Sequence, residues 1–135
     1  MKTEKHLEVL REVEETIEEA LESGNILDYQ RRLATMLSLG MQQMIELFLH
    51  KHKAIKPGTQ VKHEWFRMGS RNLNTRLSSV LTTEMEKVPG LGEIVELAKT
   101  IEEDRNELVY GSPLDDDEIL REKIDAFLEI KKMVI

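Results

Sequence analysis

"LDYQRRLATMLSLGMQQMIELFLHKHK", residues 27–53, places Leu33, Met36, Leu37, Met41, Met44, Ile45, Phe48 and Leu49 at intervals of three and four. Together with Tyr29 they cover far more than one stripe of a helix. A helix that is apolar around most of its circumference belongs in the middle of a domain, with other helices laid against it. The spacing predicts this central helix over about 27–53, with Asn25 or Asp28 as its cap. Gly40, inside it, is expected to allow a close helix crossing.

The flanking segments supply the cover. Leu7, Leu10, Val13, Ile17, Ala20 and Leu21 recur with helical spacing among glutamates, predicting a helix over roughly 3–23 that ends at Gly24-Asn25. Beyond the Pro57-Gly58 break, Phe66, Leu73, Leu77, Val80 and Leu81 predict a third helix of about 61–82, irregular near Gly69. Pro89-Gly90 marks another turn. Leu91, Ile94, Val95, Ala98, Ile101, Leu108 and Val109 then form a fourth stripe. Asp115 with Glu118 is a capping pair for a last helix of about 115–134, whose apolar positions include Leu120, Ile124, Phe127 and Leu128. No stretch alternates as a strand does, and no repeat is present. The expectation is a single all-α domain, residues 1–135, of about five helices.

Composition fits a folded chain: 40% of residues are apolar and 33% charged. No apolar run approaches the roughly 18 residues of a membrane span. The start of the chain, "MKTEKHLEVLREVEETIEEA", is acidic and periodic, unlike a signal peptide. With no cysteine there is no disulfide, thiolate zinc site or cysteine nucleophile, and a cytoplasmic location is expected. The net charge of −7 argues against a protein that coats nucleic acid over its whole surface. Residues 50–76, however, hold Lys51, Lys53, Lys56, Lys62, Arg67, Arg71 and Arg76 against Glu64 alone, with His50, His52 and His63 among them. Such asymmetry predicts one positive patch on an acidic body.

Two parts of the chain point to phosphate chemistry. His63, Arg67, Arg71, Asn74 and Ser78 fall along one edge of the third helix, and arginine forks suit phosphate oxygens. Trp65-Phe66 beside them either stack on an unpaired base or, as the single tryptophan of the chain favours, pack inside. In "EEDRNELVYGSP", residues 102–113, Arg105 lies one turn from both Ile101 and Val109 if the helix is continuous. A guanidinium on an apolar stripe needs a carboxylate, a phosphate or a path to water. The bland account is a helix end: arginine suits a C-terminus, Gly111 can take the left-handed conformation, and Pro113 stops the helix.

"RNELVYG", residues 105–111, resembles the motif of HEPN domains, small helical dimers whose motif reads Arg-Asn-x-x-x-His or similar. The resemblance implies Arg105 and Tyr110 as candidate catalytic residues of a metal-free ribonuclease and Asn106 as a phosphate contact. Tyr110 stands where the family has histidine, and a phenol with pKa near ~10 is a poor general base at neutral pH. The chain as a whole, including "PGTQVKHEWFRMGSRNLNTRLSSVL", is similar to a small archaeal family with the ribonuclease III-like helical fold. True ribonuclease III enzymes are dimers that hold magnesium with carboxylates. Residues 27–53 resemble their signature helix, in which Arg-Leu-Glu precedes Leu-Gly-Asp: Arg32-Leu33 and Leu39-Gly40 match with two extra residues between them. Ala34 and Met41, however, stand at the acidic positions, and no second acidic cluster like the enzymes' Ala-Asp-x-x-Glu-Ala is present.

No metal ligands are read from the sequence. His50-x-His52 lacks the four-residue spacing of a helical zinc site, and "DDDE" at 115–118 reads as a helix start. The expectation is therefore a homodimer without cofactor that binds an RNA backbone through His63, Arg67, Arg71, Asn74, Arg105 and Asn106, without efficient cleavage. The alternatives are an endoribonuclease, or a non-catalytic module that only self-associates.

Overall fold

The computed structural model describes residues 3–135. Thr3–Glu22 form α1, Gln30–Lys51 α2, Ser70–Val80 α3, Leu91–Glu102 α4, Arg105–Tyr110 α5 and Glu118–Val134 α6. Single 3-10 turns at Ile26–Tyr29, His63–Arg67 and Met85–Lys87 join them. Five of the helices have eleven residues or more, and α5 has six. The described residues contain no strand, only an isolated antiparallel bridge between Ile55 and Leu81. The protein is all-α.

The central helix is where its hydrophobicity puts it. α1, α4, α5 and α6 all pack on α2, and Leu33, Leu37, Met41, Met44, Ile45 and Leu49 are completely buried. α1 and α6 cross α2 at Gly40. A Cβ there would stand 2.6 Å from Phe127 Cε2 and 2.9 Å from Val13 Cγ1, so only glycine permits this approach. Trp65 and Phe66 are buried and serve the core rather than a stacking platform.

Three local expectations change. The third helix divides: His63–Arg67 is a 3-10 turn, Met68 is extended (φ −75°, ψ 158°), and α3 starts only at Ser70. Neither Asn25 nor Asp28 caps α2 through its side chain, since the 3-10 turn Ile26–Tyr29 leads directly into it. At the start of α6, Glu118 N–H donates to Asp116 Oδ1 at 3.0 Å, in place of the expected Asp115 pairing.

The fourth stripe also breaks. α4 ends at Glu102, Asp104 takes a left-handed conformation (φ 57°), and α5 restarts at Arg105. Arg105 therefore does not lie on one continuous helix with Ile101. The cause is on the neighbouring helix. Lys123 of α6 is buried, and its ammonium donates to the carbonyls of Thr100 at 2.6 Å, Ile101 at 3.2 Å and Glu103. These are carbonyls that a continuing helix would have used itself, so the ammonium ends α4 from outside. Burial pushes the Lys123 pKa down, opposed by the charges of Glu103 and Asp104. No helix among the described residues is long and apolar enough to cross a membrane.

Candidate functional site

The polar centre of the molecule is Glu102, the last residue of α4. Its carboxylate is fully buried and has three partners from two other segments. Ser38 Oγ of α2 donates to Oε2 at 2.8 Å, and His63 Nδ1 lies 2.7 Å from Oε1. Arg67 Nε is 3.4 Å from the same Oε1. A buried carboxylate is tolerable only with such company, and two of its partners are basic. Because a carboxylate accepts, the hydrogen on His63 sits at Nδ1, which turns Nε2 outward to within 3.8 Å of Glu64 Oε1. His63 and Arg67 are thus neighbours, as their spacing suggested, but they share an internal acid.

The sequence reading missed Glu102, Ser38 and Lys123. A signal for Glu102 existed: Leu91, Val95 and Ala98 lie on the buried face, and Glu102 is one turn beyond Ala98 on that same face.

Beside this node lies an open cleft of about 620 Å³ between the His63–Arg67 turn, α4 and α5. Arg67 and Asn106 both line it, so residues from two separate sequence motifs meet there. The remaining charges are Lys99 against Glu96, Glu103, Asp104 and Glu107. Lys99 is engaged with Glu96 at 3.2 Å and with Ser70 Oγ at 3.0 Å. Carboxylates outnumber cations, so the cleft repels rather than attracts a polyanion.

The α5 motif is held firmly from α2. Gln30 Nε2 donates to Leu108 O at 3.1 Å and Ser112 O at 3.3 Å, while its Oε1 accepts from Leu114 N at 2.8 Å. Arg31 Nε donates to Val109 O at 2.9 Å. Gly111 ends the helix in an extended conformation (φ −92°) instead of the expected left-handed one. Its missing side chain matters for space, since a Cβ would stand 2.5 Å from Glu107 O. Arg105 Nη1 donates to Asn106 Oδ1 at 3.2 Å, while its Nε is buried with no hydrogen-bond partner among the described residues. Tyr110 points into solvent, 79% exposed.

Arg71 and Asn74 are on α3, away from Glu102. α3 buries only Leu73 and Leu77, and its other side chains, apart from the partly buried Val80, are exposed. Arg71, Asn72, Asn74, Thr75, Arg76, Ser78 and Ser79 all face water, and no Asp or Glu occurs between Glu64 and Glu84. No family model, curated protein or solved structure matches the chain.

Proposed function

We propose that the protein binds an RNA phosphate backbone along the exposed face of α3, without efficient cleavage. The observation that carries this is an acid-free helix that shows water two arginines, two asparagines and a series of hydroxyls. Arg71, Asn74 and Ser78 lie on successive turns of one side, and Arg76 extends the positive surface. Guanidinium forks, amides and hydroxyls are the groups that phosphate and ribose oxygens accept from. Arg67, tied to Glu102 yet partly exposed, stands just before the start of this face. Neither ribonuclease chemistry has a clear set of groups here. Tyr110 is a phenol, and no group of three or more His, Asp or Glu among the described residues can hold a metal.

Self-association is part of the proposal. Tyr110 and Ile119 are exposed, and Leu108, Leu114 and Ile119 line an opening of about 350 Å³ beside the Gly111 turn. The exposed Ile119 and partly buried Leu114 over this opening suit burial against a second copy.

Fluorescence anisotropy with single- and double-stranded RNA at low salt, run beside sedimentation, tests both parts. Expected are a dimer and an affinity that falls steeply as salt rises. Undetectable binding at low salt would leave a self-associating module. Cleavage without metal that disappears in Arg105→Ala would favour the HEPN-like enzyme.

A further inference from the structure

We propose that the pocket at the C-terminal end of α3 receives one unpaired nucleobase bearing an amino group, from the RNA whose backbone lies on α3. The assignment rests on α3 serving as a phosphate track. Arg71, Asn74 and Ser78 follow one side of that helix toward its end at Val80. Asn74 and Ser78 also line an opening of about 480 Å³ whose remaining wall is residues 81–86. A strand held along this side is therefore led to the rim of the opening. A base within a duplex has its faces stacked and its edge paired, so only an unpaired one can turn in.

The wall has the two kinds of surface that a base needs. Leu81 and Met85 are partly buried, packed against the core and lining the opening. They offer apolar contact to a ring, and a thioether packs favourably against an aromatic one. Asn74, Ser78, Thr82, Thr83, Glu84 and Glu86 around them are exposed and polar. The two carboxylates would repel a phosphate here but accept N–H groups. Adenine, cytosine and guanine present an amino group to such an acceptor. Uracil presents a single ring N–H set between two carbonyl oxygens, which a carboxylate repels. Lys87, 4.0 Å from Glu84, is an exposed partner that holds it loosely.

The wall is also built in advance. Leu81 bridges to Ile55, Thr82 N–H donates to Ala54 O at 2.7 Å, and the Thr82 hydroxyl donates to Lys53 O at 3.1 Å. At the far end, Lys87 N–H donates to Glu84 O at 3.0 Å and Val88 is buried. A ligand entering this opening has little backbone to order.

The test compares a short single-stranded RNA of cytosine with the same strand made abasic, using the full chain and fluorescence anisotropy over a range of salt. Both strands carry the same phosphates, so a track on α3 gives them equal salt slopes. Expected is at least about fivefold tighter binding of the intact strand, a loss of that difference in Met85→Ala, and a smaller difference when uracil replaces cytosine. Met85→Ala should leave the affinity for the abasic strand unchanged, whereas Arg71→Ala should weaken both strands alike. The Met85 methyl signal in ¹H–¹³C spectra should shift with the intact strand only, a readout that needs no variant. Equal affinities for the two strands, or a preference untouched by Met85→Ala, overturns the base pocket and leaves the phosphate track in place. Equal binding of the uracil and cytosine strands overturns the choice of an amino-bearing base. Binding of neither strand overturns pocket and track together.

Discussion

Glu102 Oε1 and His63 Nδ1 lie 2.7 Å apart across the junction of α4 with the His63–Arg67 turn, and the carboxylate is sealed from solvent while the imidazole is not. The acid is therefore the more sensitive member. Glu102→Ala leaves His63, Arg67 and the Ser38 hydroxyl facing a void and should cost about 3–5 kcal/mol. Glu102→Gln keeps the shape and part of the hydrogen bonding, so roughly 1–3 kcal/mol is expected. Urea denaturation of the two variants gives the comparison. A loss under about 1 kcal/mol in Glu102→Ala would mean that the node does not hold these elements together.

Gly40 gives a second expectation. An added methyl group meets Phe127 and Val13 on opposite helices, neither of which has free space to retreat into. Gly40→Ala should destabilise by about 1–3 kcal/mol even though alanine favours helix. Phe127→Leu alone opens a cavity. In the Gly40→Ala background the same change should cost less, because it relieves the clash. A double-mutant cycle by thermal unfolding measures that coupling, and purely additive effects would place the crossing elsewhere.

How much was legible follows from where each signal resides. The five long helices, the burial of the apolar residues of α2 and the role of Gly40 are written in periodicity, which is local. The break after Glu102 is not, because the ammonium that takes the last carbonyls of α4 comes from Lys123 on a different helix. On a continuous helix Arg105 would share the buried stripe; in the broken one the fully buried acid at this junction is Glu102. His63 and Arg67 seemed to extend the edge of Arg71 and Asn74. The extended Met68 detaches them, so two residues face an internal acid and two face water.

Glu46 makes stability depend on pH in an unusual direction. Burial raises its pKa above 4.5, against smaller opposing effects of the Val61 hydrogen bond and His6. The native state thus holds this proton more tightly than the unfolded chain. The resulting stabilisation is complete below 4.5 and is lost as pH rises through the elevated native value. Glu46→Gln can still accept from Val61 N–H but never has to bury a charge. The variant should be as stable as the parent or more so at pH 8, and lose that advantage toward pH 4.5. A variant much weaker at pH 8 would show that the ionised carboxylate is needed.

Arg67 and Arg71 separate structural work from binding. Arg67 shares the buried Glu102 carboxylate with His63, so Arg67→Ala should reduce stability by roughly 1–3 kcal/mol as well as affecting RNA. Arg71 has no salt-bridge partner among the described residues and projects from an exposed turn of α3. Arg71→Ala should leave the urea midpoint nearly unchanged and weaken RNA binding across sequences. It should also lower the slope of log affinity against log salt by about 1, as expected for one lost phosphate contact. Arg76→Ala should act in the same sense, and the double variant should show the two slope changes added. The contrast matters more than either value. If Arg67→Ala abolished binding while Arg71→Ala and Arg76→Ala left both affinity and slope intact, the phosphate track would lie in the cleft beside Asn106, despite its surplus of carboxylates.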